Sequence, residues 1–405
     1  MKKFSLSFKL AVVSQIISLL GGSVLQFTIL LFIRELTSPT IHGLAVAISA
    51  IPLILFTIPG GIVADRKNKK KCIVALDFTK TLISIGILVI FLNGTYSIPL
   101  LIGAITFFMA LITLFNPILT SSIPTIVDEG ILVEANGIIL SISAISHILG
   151  VVLAGILFTT VGISTVIILC GVLFLTSTII DLFIKIPYKK SSDQTNVSQE
   201  LKASFRYVAK ENPETLKITL TFACLSLLYL PIFTVAFPNI ALGYFGVGET
   251  VFGFAQAFTA LGMIIGGLAS GKIKKWLTVG HFFKWILLMG AFCLILAFSV
   301  SPVLTGSALL SFWIFNIGLL LIMVVVTFGD VLVRTTVQEK APAHLLGKVI
   351  SLVILTSNLV TPIGQSGFGW LIDVLAENLH ILFIVITTIT VGVGLITRDI
   401  FGKTK

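Results

Sequence analysis

The chain has 405 residues, of which 56% are hydrophobic and only 11% charged, with 31 phenylalanines and a mean hydropathy of +1.12. That balance excludes an ordinary soluble globular domain and identifies an integral membrane protein. The net charge of +10 does not point to nucleic acid, because the basic residues fall in blocks at 2–9, 66–80, 185–217, 272–284, 334–348 and 398–405, with Arg34 alone outside them. Under the positive-inside rule these blocks mark the cytoplasmic side, and the alternate loops face outward.

Lys2, Lys3 and Lys9 precede an apolar run from Leu10 to Ile33. The run is too long for a removable signal and lacks a small-residue cleavage site, so it is expected to be a retained first span. The uncharged runs Thr81 to Val127 and Ala135 to Ile180 are each about twice the roughly 20 residues a helix needs to cross a bilayer. Each therefore predicts two spans joined by a tight turn, with breaks at sites such as Asn93-Gly94 and Gly162. The first six spans are predicted near 10–33, 43–64, 72–92, 97–127, 136–159 and 162–184. The second six are predicted near 217–241, 250–271, 280–300, 305–330, 348–371 and 379–397.

The expected fold is thus an all-α membrane protein with twelve transmembrane helices in two six-helix halves, 1–185 and 217–405, and both termini cytoplasmic. The polar segment 186–216 between them carries Leu201, Phe205 and Val208 at helical spacing, with Lys202, Arg206 and Lys210 on another face. That pattern suits either an amphipathic helix held on anionic membrane lipid or a solvated linker helix. Cys72, Cys170, Cys224 and Cys293 stand in apolar surroundings without CxxC spacing, so apolar packing is expected of each and no metal site or cofactor is implied.

The halves repeat one another. GGIVADRKNK from Gly60 aligns with GGLASGKIKK from Gly266, pairing Gly61 with Gly267, Arg66 with Lys272 and Lys69 with Lys275. At a nearly equal offset, Gly137 pairs with Gly347 and Ser141 with Ser351. Two matches in corresponding loops point to an internal duplication.

The stretch Gly60 to Lys71 puts six charges into the seven residues 65–71, between two apolar runs. Read alone, its lysines are an orientation signal, and Asp65 is placed to accept from the exposed amides of a helix N-terminus or to pair with a cation. A duplicated bundle carrying Gly61, Asp65, Arg66, Asn68, Lys69 and Lys70 after its second span resembles the major facilitator superfamily over essentially the whole chain. Asn68 stands where that motif has its second glycine, a residue type that also enters left-handed backbone conformations. The resemblance implies that Gly61, Asp65, Arg66, Lys69 and Lys70 latch the two halves on the cytoplasmic side, engaging the start of span eleven near Gly347 and Lys348. The second-half copy has Gly271 in place of the Asp, so any carboxylate latch is expected from the first half.

Within the superfamily, SQIISLLGGSVLQFTILLFIRELT with Gln15, Gln26 and Glu35, together with Asp77 and PAHLLGKVISL, is similar to the macrolide-efflux branch of drug exporters. The chain departs from other drug exporters in having no Lys or Arg from Thr81 to Ile184 and in poorly matching the span-five antiporter motif.

Polar side chains near mid-span are the natural substrate contacts. Gln15 and Gln26, about three turns apart, share a face of span one, and that face is expected to point into the bundle. Asn116, Ser141, Gln256, Asn316, Asn358 and Gln365 complete the substrate-pathway set, each also able to serve as an interhelical hydrogen bond. Glu35, Asp77 and His147 are the proton-coupling candidates. Asp77 and Lys80, one turn apart, are spaced to pair, while Asp181 and Asp330 are expected near helix ends within reach of water. Few deep arginines or carboxylates argue against phosphorylated, dicarboxylate or multivalent-cation cargo.

The chain contains no HExxH, GxSxG, aspartate-rich pair or P-loop, so enzymatic chemistry is not expected. The expected activity is export of amphiphilic drugs such as macrolides from a bacterial cytoplasm, in exchange for protons, by a monomer. The alternatives are the same fold moving a lipid, siderophore or other metabolite, and a non-transporting receptor or scaffold.

Overall fold

The computed structural model describes residues 4–128, 131–187, 212–304, 307–340 and 346–401. Regular structure among them is all helical. A hydrocarbon solvent offers no partner to backbone N–H and C=O groups, so each segment that crosses it must bond to itself.

The first half consists of α1 (Leu6–Leu36), α2 (Pro39–Arg66), α3 (Lys69–Leu92), α4 (Ile98–Ile126) and α5 (Leu132–Phe183). At 52 residues α5 is long enough to cross twice, and it turns at Gly162, whose φ of 74° and ψ of 161° interrupt the helix. That backbone region is essentially reserved for glycine. Gly94, φ 65°, closes α3 in a similar way, so both sequence-expected breaks fall on left-handed glycines. Asn68 does not take up the left-handed conformation: with φ −66° and ψ 106° it is the N-cap of α3, and its side chain accepts from the Lys71 amide at 3.1 Å. The residue therefore replaces the motif glycine by capping a helix.

The second half consists of α6 (Pro213–Pro231), α7 (Glu249–Lys272), α8 (Phe282–Ser299), α9 (Ala308–Lys340), α10 (Leu346–Val374) and α11 (Leu379–Phe401). Beyond α6 the chain continues as two π-helical turns, Ile232–Ala236 and Ile240–Tyr244, around Phe237–Asn239. Ten helical stretches among the described residues are long and apolar enough to span a membrane. The bend in α5 and the 29-residue α10 make the set consistent with twelve passes. The widest departure from expectation is α9, which runs to Lys340 instead of ending near 330.

The chain forms two compact units, one of Met1–Leu36, Ile48–Asp193 and Glu249–Phe254, the other of Thr37–Ala47, Gln194–Gly248 and Ala255–Lys405. The first turns of α2 and of α7 are thus each exchanged into the opposite unit relative to the boundaries expected from the span order. Most of the linker 186–216, with its expected amphipathic helix, lies outside the described residues.

Inside the first unit, Phe8, Val12, Ile123, Ile126, Ala135 and Ile184 form one buried cluster joining α1, α4 and α5. In the second, Ile218, Val333, Val337, Val349 and Phe401 form another. Apolar side chains such as Leu55, Leu268 and Ile363 remain at least 60% exposed, which an apolar solvent tolerates. Cys170 and Cys293 are buried and Cys72 and Cys224 half-buried, all four as free thiols.

Gly262 and Gly266, one turn apart on α7, allow α9 to approach closely. A Cβ on Gly262 would lie 2.5 Å from the Leu320 carbonyl oxygen, and one on Gly266 would lie 2.8 Å from that of Val324. Small residues at this spacing let backbones touch, which is a main source of helix association in lipid. Gly262→Ala is expected to lower stability by about 1–3 kcal/mol, whereas Gly267→Ala, which faces open space, should be neutral or slightly stabilising. Thermal unfolding of the two variants purified in detergent checks both expectations.

Candidate functional site

Each unit holds a cavity of its own. In the first, three helices bring polar residues together at one-turn spacings. Ser14 and Ser18 lie on α1, Asp77 and Lys80 on α3, and Ser177 and Asp181 on the second arm of α5, so each helix presents a pair on one face.

Asp77 and Lys80 form an ion pair at 2.7 Å with side-chain exposures of 0% and 3%. Ser18 Oγ lies 3.0 Å from Asp77 Oδ1 and accepts from Lys80 Nζ at 3.0 Å. The ammonium also sits 4.1 Å from the centre of the Phe115 ring, a cation–π contact that adds to its stabilisation away from water. On the other side of Asp77, Ser177 Oγ approaches Oδ2 at 2.5 Å. Ser177 Oγ is 2.8 Å from Ser14 Oγ, which is 2.5 Å from Asp181 Oδ1. Asp181 is 2% exposed, which corrects the expectation that water reaches it at a helix end. No hydroxyl, amide or cation reaches its Oδ2.

This cluster borders a cavity of about 140 Å³ lined by Ser18, Gln26, Lys80, Phe115, Ser143 and His147. The volume matches a few water molecules or a small polar group. Gln15, adjacent on α1, is buried and donates to Ser143 Oγ at 3.4 Å, while its Oε1 is unpartnered. His147 is an exposed residue of α5 whose ring lies 5.7 Å from that of Phe27. Gln26 and His147 therefore line one cavity with Lys80. Asn116 and Ser141 do not join them: both are exposed, and Ser141 bonds back to the Gly137 carbonyl at 2.8 Å. Glu35 is exposed at the end of α1, beside Arg34, whose guanidinium interacts with both Glu35 and Glu249.

In the second unit a cavity of about 180 Å³ is walled by Tyr229, Phe233, Phe282, Trp285, Met289 and Met323. Its polar lining comes from Ser226, Ser357, Asn358 and the ion pair of Asp330 with Arg334, 2.8 Å apart and 40% and 49% exposed. Asn358 is the expected substrate-pathway residue that reaches this space. Asn316 is instead fully buried and donates to the Ala255 carbonyl at 3.1 Å, holding α9 against α7. Gln365 donates to Thr234 Oγ1 at 3.2 Å, and the Oε1 atoms of Gln365 and Gln256 are buried without partners.

Of the expected latch, Lys69 and Lys70 bond carbonyl oxygens of Ser121 at 2.5 Å and Leu182 at 2.7 Å. Both bonds tie the start of α3 to neighbouring helix ends. Gly61, Asp65 and Arg66 lie on the helical backbone of α2, and Gly347 and Lys348 on that of α10, but their side chains fall outside the described residues.

Two polar groupings carry no marker that the sequence patterns single out. Ser14, Ser18 and Ser177 are serines in apolar helices, and only their spacing to Asp77, Lys80 and Asp181 hints at their role. In the second unit, buried His42 Nδ1 lies 2.8 Å from Asn239 Nδ2, and Asp373 accepts from the amide and hydroxyl of Thr40. Asp373 thereby caps the start of α2, where the first-turn amides lack intrahelical partners.

The chain matches the family model described as Major Facilitator Superfamily over residues 11–365. It belongs to that superfamily, and the protein is a multi-pass membrane transporter of this type. It is similar to a Bacillus subtilis (strain 168) protein described as an uncharacterized MFS-type transporter, YkuC, with 25% identity over 292 residues. That match covers 67% of this chain and 66% of the relative, just under two thirds of its length. Two solved structures share the fold. One is the nucleoside transporter NupG, with a TM-score of 0.74 and 13% identity, covering 99% of this chain and 100% of that one. The other is a bacterial homologue of the iron transporter ferroportin in an inward-facing state, with a TM-score of 0.72 and 17% identity, covering 98% and 100%.

The buried ion pair gives a direct test of the first cavity's construction. Removing one partner of such a pair leaves an uncompensated charge and costs about 3–5 kcal/mol. Lys80→Met is therefore expected to lower the unfolding temperature sharply, while Asp77→Asn combined with Lys80→Met recovers most of the loss. Thermal unfolding of both variants in detergent is the measurement.

Proposed function

We propose that the protein is a secondary transporter that exports amphiphilic compounds, with macrolide-like drugs as the first class to test, in exchange for protons and by alternating access. The observation that carries this reading is the second unit's cavity. Aromatic rings and two thioethers form its walls, and one amide, the hydroxyls of Ser226 and Ser357 and one ion pair supply its polarity. Aromatic and Met surfaces adapt to varied apolar shapes, while a few polar groups orient the guest. At about 180 Å³ the cavity is smaller than the roughly 300–1,000 Å³ of sites that enclose a drug-sized ligand. It seats one apolar arm of a larger molecule and leaves the polar remainder near Asn358 and Arg334.

Proton exchange is supported by the titratable groups gathered in the first unit around Lys80, where Asp77 is the member of the Glu35, Asp77 and His147 set that is built into a hydrogen-bonded cluster. The proposed location is a bacterial cytoplasmic membrane, with the basic loops inside. The protein is proposed to act as a monomer in contact with membrane lipid.

Expression in an efflux-deficient bacterial host against an antibiotic panel tests this reading. Raised resistance to macrolides or other amphiphiles is expected, and unchanged sensitivity to every compound overturns it in favour of a lipid or metabolite cargo or a non-transporting role. Trp285→Ala should cut the resistance conferred by about tenfold, the loss expected when an anchoring aromatic contact of about 1.4 kcal/mol is removed. Equal membrane levels of the two proteins, measured by immunoblot, make that comparison valid.

A further inference from the structure

We propose that Asp181 and Asp77 share one exchangeable proton, carried between them by the hydroxyls of Ser14 and Ser177, and that its position sets whether Lys80 is paired. The inference rests on the proton-exchange reading above and assigns the site at which it occurs.

The argument is a count of hydrogens. From Asp181 Oδ1 to Ser14 Oγ, to Ser177 Oγ, to Asp77 Oδ2 there are three oxygen–oxygen contacts of 2.5, 2.8 and 2.5 Å. Each requires one hydrogen between its oxygens, since two lone pairs at such distances repel. The two serine hydroxyls supply two hydrogens, and a carboxylate supplies none. The main-chain oxygen of Ser14, 3.2 Å from Ser177 Oγ, also accepts and adds no hydrogen. The third must belong to a protonated carboxyl.

Two further observations place it. Asp77 Oδ1 already accepts from Lys80 Nζ at 2.7 Å and from Ser18 Oγ at 3.0 Å, so both donors beside it already point at this oxygen. No hydroxyl, amide or cation reaches the buried Asp181 Oδ2, which is tolerable for the carbonyl oxygen of a neutral acid and far costlier for a carboxylate. The charged groups acting on Asp181 are Asp77 and Lys80, both from α3, and the Asp77 carboxyl also hydrogen-bonds with that of Asp181 directly, a contact that itself calls for one of the two acids to be protonated. Helix α1 faces it with Ser14, and α4 contributes the Phe115 ring beneath Lys80. Two carboxyls and one ammonium reach neutrality with one added proton. A metal cation does not fit: oxygens around a cation at about 2.4 Å stand roughly 3 Å or more apart, wider than these contacts.

The proton rests on Asp181 and donates to Ser14, Ser14 donates to Ser177, and Ser177 donates to Asp77. Moving each hydrogen across its own contact breaks the Asp181 O–H bond and forms an Asp77 O–H bond, carrying one positive charge from α5 to α3. Asp77 is then neutral, and the Lys80 ammonium, which lines the 140 Å³ cavity, loses its anionic partner and is free to engage a polar or anionic group there. Occupation of the cavity and position of the proton are thereby linked.

Infrared spectroscopy of the protein purified in detergent, stepped through pH, reads the protonated carboxyl directly. The wild type at neutral pH is expected to show a carbonyl band of a protonated carboxyl that is absent in Asp181→Asn and shifted in Ser14→Ala. Ser14→Ala keeps both carboxyls and so guards against loss of fold in the first variant. A band that persists unmoved in both variants overturns the proposal. In proteoliposomes loaded with a pH dye and given an erythromycin gradient, Asp181→Asn should retain erythromycin counterflow and lose the accompanying proton movement. Proton movement unchanged in Asp181→Asn overturns the proposal. A band assigned to Asp181 with no erythromycin-driven proton movement in the wild type supports the shared proton and instead removes the transport reading on which its role rests.

Discussion

Everything in this molecule depends on the absence of water from the hydrocarbon layer. Without water, a hydroxyl or amide must find its partner within the chain, and most hydroxyls here take the nearest one available. Thr113, Thr178, Thr219 and Ser270 each bond the carbonyl one turn back on their own helix. Such hydroxyls are neutralised locally and say little about function. Ser14, Ser18 and Ser177 differ, because their short contacts are with carboxyls on other helices. In a lipid-embedded bundle, the hydroxyl that reaches across to another helix marks where charge has been brought inside.

The two units use this constraint differently. The first gathers carboxyls, an ammonium, hydroxyls and amides around a small space, and it relies on hydrogen bonds to make buried charge tolerable. The second lines its space with rings and thioethers and leaves its ion pair, Asp330 with Arg334, half-exposed, where solvent screens it and its contribution to stability is small. The two units carry the similar stretches GGIVADRKNK and GGLASGKIKK, yet their interiors hold opposite chemistries. A shared fold constrains helix placement far more strongly than it constrains what the helices enclose.

Most of the fold was legible in the sequence. Length and hydropathy placed the spans, Gly94 and Gly162 fell where turns were needed, and among the described residues the end of α9 departed furthest from the expected boundaries. The site was legible only in part. Asp77 with Lys80 was readable because a one-turn spacing is local information. Asp181 was misjudged because distance from a helix end does not report what packs over it. Asn116 and Ser141 are exposed and stand apart from the first unit's cavity, a separation that depth along a span does not report. The pairing of Ser14 with Asp181 spans 167 residues, and no local pattern encodes a contact of that range, although the repeated three- and four-residue spacings of polar groups on α1, α3 and α5 are a sign of it.

Every second connection in the expected span order is short. In sequence these are residues 37–38, 93–97, the bend at Gly162, 245–248, 300–307 and 375–378, which the alternation of spans predicts to share one side of the membrane. None of these segments contains a lysine or arginine, and Arg34, the basic residue nearest to them, is held within the last turn of α1. Trypsin, which cuts after basic residues, therefore has no loop to grip from that face. In sealed vesicles of a single orientation, cleavage or protection of the chain would report which face is outward, with no need for an inserted tag.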